Sequence, residues 1–556
     1  MKAEELKIED VLVQTKTFVI PPYQRPYSWS EDNAKQLVED IFTSMEQGES
    51  EYFIGSLICI QDQKNDYRFE VVDGQQRLTT LTLICAKLCQ LISNVKVKAD
   101  LQERILHEDP YSDIPEEPRL QIRLKEFELF TNHVVMGKDT NLPDKPTHTE
   151  SLFINNFRGI GEYLADYDEA TLIRLTRYLL RNVFIVFVRT EDFASSYRLF
   201  NVLNNRGTPL TDGDLIKNKL FEQAEVNRIP SSTVEQKWSQ LEDIIGIENI
   251  DRFLNFNTIA NKKDKDRVTP KPLAAYTKRL QDEYNGEVLP LISDLLASAK
   301  NYQALRDSDF EGLTRKRIRF LNLLPDEWFP AVLAFLNRAS TDKCFTPQDI
   351  DTFLMAFEKV LYQSWIRKLI KSKREMMYFE VLTRINQGHD LNSIIEGINV
   401  HADNADFAHH IQGDLYEPSP NKIQMVRAVL LRLEEEMQDD SVEKSYHRLS
   451  IEHILPQSRK DNYWQERFSD DCHAQWVQKL GNLTLLGGAK NSSAQHHSFP
   501  KKLESYARHN KKVSFDLTKE ICDLDDWTED SIKKRHERLV GQCLSLWSVT
   551  GTVTLL

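Results

Sequence analysis

The stretch 67–81, "YRFEVVDGQQRLTTL", changes its hydrophobic period within a few residues. "YRFEVVDG" (67–74) reads as a strand, and Asp73-Gly74 reads as a tight turn. Beyond it the spacing becomes helical, with Leu78, Leu81, Ile84, Cys85, Leu88, Leu91 and Ile92 in phase. This helix rests on period rather than propensity, because β-branched residues are frequent in it. A strand feeding a helix across one turn commits this part of the chain to mixed strands and helices. "YFIGSLICI" (52–60) and "NVFIVFVRT" (182–190) read as further strands.

Such a turn suits an anion. Backbone N–H groups at a helix start are unpaired, and the helix dipole favours negative charge there. Gly74 permits a positive φ or a close backbone approach. Arg77, in the first turn, can fork onto phosphate oxygens. Asp73 either caps the helix or holds a magnesium ion beside a triphosphate. A capped helix with a solvated arginine would use the same residues. Two neighbouring stretches add recognition chemistry. "IPPYQRPYSWS" (20–30) packs aromatics with Gln24 and Arg25, which can stack a base and grip phosphate or form a surface turn. "FNVLNNRGTPLTDGDLIKN" (200–218) adds Asn204, Arg206, Gly207 and Asp214. Its plain reading is a helix end at Gly207 and a new N-cap at Thr211 or Asp212.

The 556 residues exceed what one core holds. Turn residues and pattern changes suggest segments 1–225, 226–415 (mostly helical) and 416–556. The clearest helical start is "TPQD", with Thr346 as N-cap and Pro347 in the first turn. Residues 100–118 and 137–149 read as surface loops. The seven cysteines are scattered with no CxxC pair, which argues against a disulfide framework or a structural zinc. Cys85 and Cys89 lie in an apolar helical pattern and read as buried thiols. A net charge of −14 means that any DNA contact must use local basic patches. No apolar run reaches the ~20 residues of a membrane helix, and the charged start lacks a signal-peptide core. A cytoplasmic protein without a membrane partner is expected.

A second constellation lies near the C-terminus. "RLSIEHILPQ" (448–457) places Glu452 and His453 where a short strand ends. Phosphodiester hydrolysis needs an activated water and a cation near the leaving oxygen, and a neutral histidine can take the proton. Adjacent strand residues face opposite sides, so both could meet one ion only if the chain turns there. Pro456 fits such a break. "GNLTLL" supplies Asn482, and "GGAKNSS" supplies Asn491 nine residues later. This spacing resembles the H-N-H arrangement, also called ββα-metal or His-Me finger. Lys501, Lys502, Arg508, Lys511 and Lys512 form a basic stripe, either a solvated helix face or a DNA-phosphate contact.

The motifs "YQRPYSW", "FIGS", "VVDGQQRLTTL" and "LNNRGTPLTDGDLIKN" span roughly the first 220 residues, and "EHI-P … GNLTLL … N … F-K-K … Y" covers about 451–506. Together they resemble the GmrS/GmrD (GmrSD-type) family of modification-dependent type IV restriction endonucleases. The resemblance implies an α+β multidomain chain. A ParB/sulfiredoxin-like α/β domain would bind and hydrolyse a nucleoside triphosphate (GTP, ATP or another) with Mg²⁺. A mostly helical middle would precede an HNH nuclease domain. Nucleotide contacts are implied at Asp73, Gly74, Gln75, Gln76, Arg77, Thr79, Gln24, Arg25, Asn204 and Arg206. No cysteine stands at the sulfiredoxin position, where Gln75 and Gln76 lie, so sulfinic-acid chemistry is disfavoured. In the nuclease domain, His453 would be the general base, oriented by Asn482, with Glu452 and Asn491 on Mg²⁺ or Mn²⁺. Both ligands are oxygen donors, which favours a hard ion. The implied partner is double-stranded DNA, in particular modified phage DNA in phage defence, and a homodimer is compatible. The alternative is a nucleotide-switched ParB-like DNA-binding regulator without nuclease activity.

Overall fold

Six strands of the N-terminal half pair into one mixed sheet: β1 (Lys2–Lys7), β2 (Thr17–Val19), β3 (Tyr52–Gln61), β4 (Arg68–Asp73), β5 (Leu120–Gln121) and β6 (Val183–Thr190). Their order is β1-β6-β3-β4-β2-β5. β3 runs parallel to β6 and antiparallel to β4. β1 closes one edge antiparallel to β6, and β2 lies parallel to both β4 and β5. The three strands read from the sequence are thus adjacent, at the sheet centre. Leu57, Ile58 and Cys59 of β3 are fully buried there. This computed structural model describes the chain except residues 1, 23, 63–64, 66, 108–116, 139–142, 145, 191–210, 264–270, 343–344, 438–448, 488–493, 507–512, 514 and 550–556, and the side chains of 124 and 125.

Helices of the N-terminal part include α1 (Glu31–Glu46), α2 (Gln75–Leu91), α3 (Val95–Ile105), α4 (Leu124–Leu129), α5 (His148–Leu164), α6 (Glu169–Arg181), α7 (Asp212–Val226) and α8 (Ser231–Ile245). α2 is buried on nearly every side, and two of its three threonines bond within the helix. Thr80 Oγ1 donates to the Gln76 carbonyl and Thr82 Oγ1 to that of Leu78. Cys85 and Cys89 are buried in it, as expected. α7 begins at the Thr211 N-cap, closed by a capping box with Asp214. The loop expected at 100–118 is helical as far as Ile105. Asn94 caps that helix, and Leu101 and Ile105 enter the core; two apolar anchors outweigh an acidic composition.

The described residues group into two compact units, Met1–Asp243 with Tyr276–Ile292, and Ile244–Ala275 with Ser293–Leu556. The helical stretch 226–415 is therefore not a unit of its own. The reason is visible in α9 (Pro347–Ile366), capped by Thr346 as expected. Its Tyr362 stacks on Trp547 of the C-terminal helix at 4.5 Å, and Gln363 donates to the Trp547 carbonyl. Helices from the middle and the end of the chain share one core. In the same unit, β7 (Leu449–His453) and β8 (Leu483–Gly487) form an antiparallel hairpin, with His453 opposite Leu483 and Glu452 opposite Thr484. Helices around it include α10 (Pro420–Glu436), α11 (Phe499–Tyr506) and α12 (Glu529–Trp547). Gly481, just before β8, lies against α12 so closely that a Cβ would sit 2.6 Å from the Ile532 carbonyl. No helix among the described residues is long and apolar enough to cross a membrane.

Candidate functional site

In the N-terminal unit, β4 ends at Asp73 and α2 starts at Gln75, with Gly74 between them at φ +91°. A Cβ at Gly74 would lie 2.8 Å from the Ser56 carbonyl, so the turn demands glycine on both conformational and steric grounds. No side chain caps α2, which leaves the positive end of the helix to whatever lies in front of it. A narrow cleft opens there, lined among others by Arg25, Gln75, Gln76, Thr79, Glu126 and Thr149. Its free space is about 10 Å³, roughly one water. The Thr149 hydroxyl on its wall is buried without a hydrogen-bond partner.

Arg77 does not point at this cleft as a free fork. Its Nη1 donates to the carbonyls of Ile54 and Ser56 in β3, at 3.3 and 2.8 Å, and Nη2 lies 4.0 Å from Asp73. Gly55, at φ +110°, makes the space: a Cβ there would stand 2.2 Å from Nη1. The "FIGS" and "DGQQR" motifs are one structural device. Gln24 is likewise committed, donating to the Val72 carbonyl at 2.9 Å. Gln76 holds the 26–29 turn through the Ser28 and Trp29 N–H groups and the Pro26 carbonyl. Tyr27 stacks on Phe153 at 5.0 Å, and its hydroxyl bonds Thr80 and Asn156. Burial pushes that phenol up to about 12. Most of the "YQRPYSW" chemistry therefore goes into shaping the cleft wall. Asn204 and Arg206 lie outside the described residues.

Behind the cleft sits a charge cluster that sequence reading missed. Arg123 Nη2 meets Glu242 at 2.8 Å and its Nε lies 3.6 Å from Glu126; Lys217 is 3.5 Å from Glu242. All four side chains are buried. Burial pushes Lys217 down to about 8. Burial also pushes Glu242 up, but Lys217 and Arg123 together outweigh it and hold the carboxyl below its usual range. By distance Arg123 is the nearer partner of Glu242, at 2.8 Å against 3.5 Å for Lys217. Lys217 stands within "GDLIKN", and its position inside an apolar helical phase was the available signal.

In the C-terminal unit, the ladder from Leu449 to His453 is regular, so Glu452 and His453 face opposite sides. The His453 ring is buried and pushed by that burial down to about 4. Its Nε2 lies 3.0 Å from Gln478 Oε1 and 3.2 Å from Gln457 Nε2. Tyr416 meets the ring edge-on at 4.5 Å.

Glu452 points inward. Its Oε1 accepts from Lys502 Nζ at 2.6 Å and from the Tyr506 hydroxyl at 2.9 Å, and Lys502 also donates to the His453 carbonyl at 2.7 Å. Burial pushes the Glu452 carboxyl up and the Lys502 ammonium down, and the ion pair opposes both.

Three expectations are corrected here. Glu452 is bound by an ammonium and a phenol instead of standing beside His453. Lys502 is fully buried and cannot meet DNA phosphate. Asn482 does not hold the His453 ring: its side chain bonds both the N–H and the carbonyl of Leu455, the Val477 carbonyl and the Trp527 indole. It fixes the turn that follows His453. Lys501 is exposed, while Asn491, Arg508, Lys511 and Lys512 lie outside the described residues. No group of three His, Cys, Asp or Glu side chains able to hold a metal occurs among the described residues. The described donors do not fit a hard cation at this hairpin.

Residues 8–221 match the family model described as the N-terminal domain of the GmrSD restriction endonuclease, and residues 401–542 match that of the C-terminal domain of GmrSD restriction endonucleases. No curated protein matches the chain.

Proposed function

The chain belongs to the GmrSD-type family of type IV restriction endonucleases, and from that premise we propose that it is a nucleoside-triphosphate-dependent DNA endonuclease in which His453 is the general base. The observation that carries this reading is the His453 environment: a strand-end imidazole kept neutral by burial. A neutral imidazole has a free lone pair for the proton near pH 7, and approach of the DNA phosphate must raise its basicity for the step. Water loses that proton to the ring as its oxygen bonds to phosphorus. The ester oxygen then leaves with its electron pair and is protonated by solvent. Asn482 and the Lys502–Glu452 pair hold the strand end and the following turn, so the ring stays in one place during the step.

Nucleotide binding is assigned to the cleft at the α2 N-terminus. An uncapped helix start, Arg25, two glutamines and an unpartnered Thr149 hydroxyl make a polar, anion-compatible wall. A triphosphate needs far more room than one water, so binding must widen the cleft. That widening is the conformational event through which nucleotide acts on cleavage: a ligand shifts an equilibrium only by binding one state better. Modified phage DNA is the proposed target in phage defence. The test incubates purified protein with modified and unmodified phage DNA, with each nucleoside triphosphate, with and without Mg²⁺ or Mn²⁺. Nucleotide-dependent cutting of modified DNA supports the reading; nucleotide and DNA binding without any nick contradicts it.

A further inference from the structure

We propose that Gln478 is the positioning residue of the nuclease, selecting the tautomer of His453 that leaves Nδ1 as the proton acceptor. This rests on the reading of His453 as general base.

Both side-chain amides near the ring converge on the same nitrogen. Gln478 offers an acceptor to Nε2 at 3.0 Å, and Gln457 offers a donor at 3.2 Å. One ring nitrogen cannot satisfy both: protonated it donates to Gln478, unprotonated it accepts from Gln457. The surroundings decide between them. Gln457 is exposed, and water competes for its amide. Gln478 is half-buried and anchored through its backbone, whose carbonyl accepts from the N–H groups of Leu415 and Tyr416 at 3.0 and 3.1 Å. A bridge between Asp414 and Lys479 ties the same two segments, and the Tyr416 ring closes on His453 from this segment. Gln478 is thus a fixed acceptor aimed at Nε2. Both hydrogen bonds of the ring fall on Nε2, so the proton sits there and the Nδ1 lone pair is the base. Orienting a base through the hydrogen bond on its other nitrogen is a general device.

The test separates the acceptor from mere shape. In the full chain, Gln478→Met keeps the volume without the acceptor, and Gln478→Glu keeps an acceptor. General-base catalysis contributes about 10²- to 10⁴-fold. Gln478→Met is therefore expected to lower kcat for DNA cleavage about 100-fold with KM unchanged, and Gln478→Glu to restore most of it. Histidine-selective ¹⁵N labelling reads the tautomer directly, with His453→Ala identifying the signal: Nε2–H in the wild type, a mixture in Gln478→Met. Equal losses in both variants, an unimpaired Gln478→Met, or an Nδ1–H wild type overturns the inference. If His453→Ala itself cuts normally, the nuclease reading falls and this inference with it. If His453→Ala is inactive while Gln478→Met cuts normally, only this inference falls.

Discussion

Lys502 reaches Glu452 across 2.6 Å, and neither side chain is open to water. The pair lies on the side of β7 opposite the His453 ring, and the Lys502 ammonium also holds the His453 carbonyl. Two residues expected to touch metal and DNA instead form an internal strut under the candidate base.

Removing one partner of such a strut leaves the other charge buried alone, which costs roughly 3–5 kcal/mol. Lys502→Met is therefore expected to destabilise the C-terminal unit by that order in denaturant unfolding. Adding Glu452→Leu removes the stranded carboxylate and recovers much of the loss. A stable Lys502→Met chain with weakened DNA binding would instead make Lys502 a phosphate contact.

The Arg77–Gly55 contact predicts coupling between the two front motifs. Gly55→Ala displaces the guanidinium from the β3 carbonyls, and Arg77→Ala removes it; each loses the same hydrogen bonds, worth roughly 1.5–3 kcal/mol. The double variant should cost clearly less than the sum of the singles. Strict additivity would mean that the two residues act independently.

Thr149 offers a direct probe of the cleft. Thr149→Val deletes a hydroxyl that has no partner in the free protein, so stability should hold or rise slightly. Nucleotide affinity should fall by about 5- to 10-fold, one neutral hydrogen bond. Calorimetry measures both; unchanged affinity would remove Thr149 from the nucleotide contact.

His453 makes stability pH-dependent in a definite direction. Burial pushes its pKa in the folded chain down to about 4, below the ordinary imidazole value of 6.5. Below pH 6.5 the unfolded chain takes up a proton that the folded chain refuses. Stability is thus lost as pH falls from about 6.5 towards 4, by an order of 3 kcal/mol in full. His453→Asn should flatten that limb of the stability profile. The same shift keeps the base unprotonated at pH 5.5, so cleavage should persist there in the wild type.

The central strands, α2 and its glycine turn, the caps at Thr211 and Thr346, and the β7–β8 hairpin were all legible, because each has a local signature of period, turn or cap. β1, β2 and β5 were not: a charged edge strand and strands of two or three residues are made by their neighbours in the sheet, not by their own composition. At the candidate sites, the directions of the side chains were not readable from the sequence. Arg77 turns back onto β3, Glu452 turns into the core and Asn482 grips the next turn, because each found a buried partner distant in sequence. Gln478 and Glu126 carried no motif, and only tertiary packing brings them to the sites.

The most direct measurement compares wild type and His453→Ala for cutting of DNA and for nucleotide hydrolysis in the same preparation. The account predicts a folded variant that hydrolyses nucleotide at close to the wild-type rate and leaves DNA intact. A His453→Ala chain that still cuts, or one that loses both activities while folded, would contradict it.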